Sequence, residues 1–248
     1  MNTRNAAQRL VEAREKACPM DALPADLAPT SVQQAYAVQD EIIRLSGETG
    51  GWKVAPRPNG GEFLCSPIPR DFFVREGTRI ARQDFIAPEA EIEIAVQFGR
   101  DLPQRSDSYS VEEVTAAIAS CHPAIEILSS RFQNRRAANQ LSNIADLQSC
   151  GSVVVGNACT DWKRIEMSAV PLTISIDGRQ AGTTPGGASS HHVLAALTWL
   201  ANHSANRNGG LKKDQIVITG ARVGPISVRG GEQIVGTCGA LGNVQAVV

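Results

Sequence analysis

Pro88-Glu89-Ala90-Glu91-Ile92-Glu93-Ile94-Ala95-Val96-Gln97-Phe98 carries three carboxylates at alternate positions into an apolar run. Successive side chains of a β-strand point to opposite faces. The stretch is therefore expected as a strand with Glu89, Glu91 and Glu93 on one face and Ile92, Ile94 and Val96 on the other. Three like charges on one buried face repel each other and lose their hydration. A hard divalent cation such as Mg²⁺ removes that conflict by taking oxygen ligands. A solvated edge strand removes it equally well, and the spacing alone leaves both readings open. A further acid elsewhere is needed to decide.

Cys121-His122-Pro123-Ala124-Ile125-Glu126-Ile127-Leu128 supplies one. It reads as a buried strand, and a lone acid in such a strand is costly unless paired, protonated or metal-bound. With Glu91 and Glu93, Glu126 makes a set of three carboxylates that leaves about half of an octahedral shell for water or substrate. Lys53 lies in Gly50-Gly51-Trp52-Lys53-Val54, a short strand by pattern. Its stem is expected to be half buried. It is read first as a surface lysine with a buried stem, and otherwise as a catalytic or carboxylate-binding lysine.

The totals bound the function class. A chain of 248 residues can bury a substantial core as one large domain or two small ones. With 24 basic and 25 acidic side chains the formal net charge is −1, and aromatics make up 4%. No basic footprint for nucleic acid and no base-stacking surface are expected. No apolar run approaches the roughly 18–20 residues of a membrane span, and the first ten residues lack the apolar core of a signal peptide. The expected location is the cytoplasm. The six cysteines (18, 65, 121, 150, 159 and 238) form no C-x-x-C pair, so they read as free thiols rather than as a zinc site or a disulfide framework. Cys150 stands out among them because it lies in a Ser-Cys-Gly segment.

Along the chain, residues 4–17 fit a short amphipathic helix ended by Pro19. Pro24 and Pro29 frame a linker, and Ser31-Val32-Gln33-Gln34 gives a capping box for a helix over 31–46 that stops at Gly47. The breaker-rich Pro56-Arg57-Pro58-Asn59-Gly60-Gly61 follows. Residues 1–75 are read as an N-terminal helical segment and lid, and 76–248 as a β-rich core, together one compact unit. Ser110-Val111-Glu112-Glu113 caps another helix. Residues 131–151 are polar, with Arg131, Arg135 and Arg136 near the start and Asp146, Ser149, Cys150 and Gly151 near the end. The plain reading is a long surface loop or helix, and a structureless loop of that length is uncommon unless functional. Asp177-Gly178 turns a hairpin, and residues 182–190 read as a flexible loop. A helix is expected over 192–203, and a strand from Asp214 to Thr219 that ends at Gly220. Many short strands with a few helices imply an α+β fold.

These segments together resemble the 2-oxopent-4-enoate hydratase and 4-oxalocrotonate decarboxylase family, within the fumarylacetoacetate hydrolase superfamily. The resemblance rests on Glu91-Ile92-Glu93-Ile94-Ala95, Pro123-Ala124-Ile125-Glu126 through Arg131, and Asp146-Leu147-Gln148-Ser149-Cys150-Gly151. It extends over Gly51-Trp52-Lys53-Val54, His192 through Asn202, Ile218-Thr219-Gly220 and the tail at Leu241-Gly242-Asn243-Val244. It implies a mixed β-roll like the C-terminal domain of fumarylacetoacetate hydrolases, with flanking helices. It also implies Glu91, Glu93 and Glu126 as ligands of Mg²⁺ or Mn²⁺, Glu89 outside the ligand set, and Lys53 as the catalytic lysine. Arg131, Asp146, Ser149, Thr219 and Gly220 become candidate substrate-binding residues.

The implied activity is a metal-dependent lyase of hydratase type, acting on a 2-oxo or 2-hydroxy dienoate through an enolate that the metal stabilises. Decarboxylation of a 2-oxo-enedioate shares that chemistry. Acylpyruvate-type C–C hydrolysis is the next alternative, disfavoured because no histidine precedes His122 and Glu126 takes the third ligand position. The segments Ala55-Pro56-Arg57-Pro58-Asn59 and Leu64-Cys65-Ser66-Pro67-Ile68-Pro69, and Leu147 after Asp146, depart from the family pattern on the substrate side. A non-catalytic subunit beside a partner enzyme is therefore weighed as well, against the retention of three acids and Lys53. The resemblance further implies a homo-oligomer and leaves room for a complex with another enzyme of the pathway.

Overall fold

A computed structural model describes residues 1–55, 63–81, 85–207 and 209–248. The breaker-rich segment after Lys53 lies outside them. Two helices open the chain, α1 (Thr3–Glu15) and α2 (Val32–Ser46). The strands are β1 (Thr49–Ala55), β2 (Leu64–Pro69), β3 (Phe73–Arg75), β4 (Glu89–Phe98), β5 (Leu102–Pro103), β6 (Ile118–Leu128), β7 (Cys150–Val155), β8 (Leu172–Ile176), β9 (Arg179–Thr184), β10 (Gly210–Leu211), β11 (Ile216–Ser227), β12 (Gln233–Cys238) and β13 (Asn243–Val247). Helices α3 (Val111–Ala117), α4 (Gln140–Ala145) and α5 (Ser190–Ala205) lie between them. No helix among the described residues is long and apolar enough to cross a membrane.

A mixed seven-stranded sheet runs β2-β1-β11-β4-β6-β7-β3. β1 pairs with β11 and β3 with β7 in parallel, and the other neighbours are antiparallel. A four-stranded sheet, β13-β12-β8-β9, packs on its inner face. The acidic strand β4 is thus central, between β11 and β6, and the edge-strand reading is excluded. Ile92, Ile94 and Val96 are fully buried on the inner face. Glycine at 236 lets the two sheets meet, because a Cβ there would overlap Ile92 Cδ1. The opposite face is covered too, since Glu93 and Glu126 are as buried as the core. β1, β2 and β3 precede residue 76 yet belong to this same sheet, which leaves α1 and α2 as the part of the N-terminal segment outside it.

Local expectations fared unevenly. Ser110 and Glu113 form the expected reciprocal capping box. At α2 only half of it forms: Ser31 Oγ accepts from the Gln34 N–H, but the Gln34 side chain turns to Thr30 instead. The polar stretch 131–151 contains α4 rather than a plain loop. β9 extends through Thr184, so only the remainder of 182–190 is loop. Gly220 does not end its strand. β11 continues to Ser227 through register shifts, because Gly220 adopts a positive φ of 96° that a bulge can use.

One close approach offers a test. Gly51 faces Ile216 in the parallel β1–β11 pair, and a Cβ at Gly51 would overlap the Ile216 carbonyl oxygen. The Phe73 ring, which also meets that Cβ, could shift, but the Ile216 backbone is fixed by the parallel pairing. Gly51→Ala is expected to lower unfolding stability by roughly 3 kcal/mol, read by urea denaturation.

Candidate metal centre

The antiparallel β4–β6 ladder sets Glu91 directly opposite Glu126, with Glu93 two residues along the same face. One carboxylate oxygen from each of Glu91, Glu93 and Glu126 lies within 4.8 Å of the others. Lys53 reaches this group from β1. Its Nζ donates to Glu126 Oε1 at 2.7 Å and Oε2 at 2.8 Å, and to the Gln148 carbonyl at 3.2 Å. Only 8% of Lys53 is exposed and none of Glu126. Lys53 is therefore a fully engaged interior ammonium. Glu93 Oε2 accepts the Gly220 N–H at 2.7 Å, and the left-handed backbone at Gly220 aims that donor at the carboxylate.

The charges do not balance. Three ionised carboxylates against the one ammonium bonded to them leave a surplus of two negative charges, with Glu93 and Glu126 shielded from water and Glu91 partly so. Burial first, and then the Glu126 charge, push the Glu91 carboxyl from 4.5 up to about 7. The same two causes raise Glu93 well above the usual carboxylate range. Burial works against the Lys53 ammonium, but Glu126 and the neighbouring acids outweigh it and raise its pKa. A divalent cation matches the surplus in sign and size, and the donor set is all oxygen, as Mg²⁺ or Mn²⁺ requires. The residues present fit such an ion.

Glu89 stands apart from this set. Arg135 Nε and Arg136 Nη2 each donate to one of its oxygens at 2.6 Å. Burial pushes its carboxyl up, but the two guanidinia outweigh this and hold it below the usual range. The strand pattern could not separate Glu89 from its neighbours, because its arginines arrive from a distant loop.

The other predicted site residues divide into two groups. Thr219 and Gly220 border the acids; the Thr219 hydroxyl donates to the Ile94 carbonyl at 2.7 Å. Arg131 and Asp146 meet each other. Arg131 Nε and Nη2 donate to the side chain and carbonyl of Asp146, and Nη1 donates to the Ser129 and Cys150 carbonyls. Asp146 is fully buried, and Arg131 nearly so. Ser149 N–H donates to the Asp146 carbonyl, and Ser149 O accepts from Ser129 N–H. Cys150 is buried, and burial pushes its thiol well above the ordinary range, which excludes a resting thiolate. Sequence reasoning missed Gln39, Ser66 and Gln148: Gln148 meets Lys53 through its carbonyl, and Ser66 and then Gln39 are bonded in line to the Gln148 side chain. Gln39 carried a usable signal, as a polar residue on the apolar face of α2 beside Val38 and Ile42.

Residues 66–248 match the family model described as fumarylacetoacetate (FAA) hydrolase C-terminal. The chain belongs to this family. Among characterised relatives, the 2-hydroxyhexa-2,4-dienoate hydratase of Comamonas testosteroni is 26% identical, over 93% of this chain and 94% of its own length. The 2-keto-4-pentenoate hydratase 2 of Dechloromonas aromatica is 29% identical, over 98% of this chain and 95% of its own. Among solved structures, 4-oxalocrotonate decarboxylase from Pseudomonas putida G7, complexed with magnesium and adipate, superposes with a TM-score of 0.86 at 21% identity, covering 99% of this chain and 96% of that one. Membership of the family and the shared fold match what the sequence segments implied.

Two predictions follow from the charge imbalance. In the metal-free protein the folded state holds protons on Glu91 and Glu93 that the unfolded chain releases. Their contribution to stability is present below the ordinary carboxylate pKa of 4.5 and is lost as pH rises through about 7. The melting temperature of metal-free protein should therefore fall between about pH 5 and pH 8, and added Mg²⁺ should raise it more at the upper end. Calorimetry at several pH values checks both signs. The second prediction separates the acids. Glu91→Gln and Glu126→Gln should both weaken Mg²⁺ binding in titration calorimetry. Without metal, Glu91→Gln should stabilise by relieving repulsion, whereas Glu126→Gln strands the Lys53 ammonium and should cost about 3 kcal/mol.

Proposed function

We propose that the chain is a metal-dependent lyase of hydratase type, acting on a 2-hydroxy or 2-oxo dienoate. The observation that carries this reading is the trio of carboxylates, two of them buried and Glu91 part-buried, with an engaged lysine across it, in a chain whose curated relatives are named as hydratases of such dienoates. Glu91, Glu93 and Glu126 would hold Mg²⁺ or Mn²⁺. When bound, the ion supplies Lewis acidity toward the carboxylate and keto oxygens of a 2-oxo acid.

The chain's own residues do the remaining work. Lys53 holds a proton at Nζ beside the ligand carboxylates; its three N–H groups rest on Glu126 and the Gln148 carbonyl, so reaching a substrate carbon would require it to release one of those bonds. Its place between Glu126 and the Gln148 carbonyl fixes the direction of that proton, and transfer from a positioned acid accounts for rate factors of about 10²–10⁴. Gly220 N–H keeps Glu93 turned toward the site. Arg131 and Asp146 act by holding the backbone of residues 146–150 rather than through free donors, since those donors are spent inside the protein.

Two other readings fit less well. Hydrolysis of an acylpyruvate would need a base that His122 cannot supply, because its ring is engaged by Ser120 Oγ and the Gly156 carbonyl. A non-catalytic role leaves the buried surplus of negative charge without a purpose. Decarboxylation of a 2-oxo-enedioate would draw on the same Lys53 proton, so both substrate classes belong in the assay.

Exchange of pyruvate C3 protons with deuterated water in the presence of Mg²⁺, followed by NMR, isolates the proton step. Lys53→Met should slow that exchange by about 100-fold while binding of oxalate to the Mg²⁺-loaded protein is retained. Loss of oxalate binding with exchange intact would instead make Lys53 an anchor for the substrate carboxylate.

A further inference from the structure

Three successive residues other than glycine, Leu147, Gln148 and Ser149, occupy the left-handed region with φ of 51°, 50° and 64°. Each carries a steric cost there, and a run of three persists only where the surroundings over-determine it. The run lies directly behind the candidate site, because the Gln148 carbonyl is the acceptor that Lys53 uses besides Glu126. An ordinary connection between α4 and β7 would not need this conformation.

The surroundings hold the turn at both levels. Arg131 bonds the carbonyls of Asp146 and Cys150, the residues that flank the left-handed run, while Ser149 N–H closes back onto the Asp146 carbonyl. The Gln148 side chain is tied separately. Its Oε1 accepts from Ser66 Oγ at 2.9 Å, and Ser66 Oγ in turn accepts from Gln39 Nε2 at 2.8 Å. Gln39 Nε2 also donates to the Ile144 carbonyl at the end of α4, and Gln39 Oε1 accepts from Arg207 Nη2 at 2.8 Å. Gln39 and Ser66 are wholly buried. Buried polar groups placed in line, each satisfied by the next, specify one arrangement. This line runs from α2 through β2 into the turn and ends on the lysine.

We propose that Gln39 and Ser66 are positioning residues: through the Gln148 amide they hold the left-handed turn so that the Gln148 carbonyl fixes Lys53 Nζ in the orientation used for proton transfer. The inference rests on the reading of Lys53 as the group that moves the proton. Ser66 is the cross-strand neighbour of Lys53 in the β1–β2 ladder, but among the described residues its hydroxyl bonds Gln39 and Gln148 rather than Lys53 or the acids, so the effect of the two side chains passes through Gln148. Arg131 and Asp146 hold the same turn from the other side.

The strain provides a signature that a merely structural tie would not show. Glycine accepts positive φ without the Cβ penalty, so Gln148→Gly relaxes the turn while freeing the carbonyl to move. Its melting temperature should equal or exceed that of the natural protein, yet Mg²⁺-dependent exchange of pyruvate C3 protons should slow by about tenfold at saturating pyruvate. Ser66→Ala, which cuts the line at its middle, should slow exchange to a similar degree with little change in the pyruvate concentration for half-saturation. Ser66→Thr keeps the hydroxyl and should restore the rate. Oxalate binding to the Mg²⁺-loaded protein should be unchanged in all three. If Lys53→Met abolishes exchange while Gln148→Gly and Ser66→Ala leave it intact, the positioning role is wrong and the reading of Lys53 stands. If exchange and melting temperature fall together in Gln148→Gly, the tie is structural only. If Lys53→Met exchanges normally, the underlying reading fails first.

Discussion

The ion pair between Lys53 and Glu126 is the interaction on which the rest of the site depends. It is buried, two-pronged, and spans two strands that are not neighbours, with β11 and β4 lying between β1 and β6. One ammonium can settle one carboxylate, and Glu126 takes it. Glu91, part-buried, and Glu93, buried, are left without a bonded counter-ion, and Lys53, Arg135 and Arg222 act on them only through space. They can retain protons or accept a metal ion. The pair thus divides the three acids into one with a resident counter-charge and two whose ionisation waits on a ligand.

This division requires a sheet covered on both faces. Were β4 at an edge, water would hydrate the acids and the charge problem would vanish. It is instead central, with the four-stranded sheet against its apolar face and buried side chains around its acidic one. The irregular register of β11 serves the same end. Bulging at Gly220 releases one backbone N–H from the ladder and turns it onto Glu93, which a regular antiparallel pairing would have spent on β4.

What could be read from the sequence follows the range of the interaction involved. The period-two pattern of β4 and the lone acid in β6 are local signals, and they suffice to pick out Glu91, Glu93 and Glu126 because antiparallel neighbours bring such faces together. The same pattern cannot tell Glu89 from Glu91, since the difference lies in Arg135 and Arg136, more than forty residues away. Gly220 misled for a related reason: glycine marks strand ends and bulges alike. Arg131 and Asp146 were legible as separate candidates, each as a group to meet substrate. Only the fold shows that they are engaged with one another. Ser66 and Gln148 lay inside segments singled out in the sequence but were not singled out themselves, because a serine in a strand and a glutamine in a turn are ordinary until their partners are known.

The turn at 147–149 shows how a costly local conformation can be sustained by groups that look unrelated in sequence. Left alone, residues of this kind would leave the left-handed region. The Arg131–Asp146 pair counters this by bonding backbone on both sides of the turn, with its own charges neutralised in place. A pair so buried contributes little net stability compared with apolar packing, so its presence is better explained by the one geometry it imposes. That geometry puts a carbonyl, a fixed dipole with no charge of its own, against the lysine. A carboxylate in the same position would deepen the negative surplus and a donor would repel the ammonium. A neutral acceptor directs Lys53 Nζ without altering the charge balance that the three acids set.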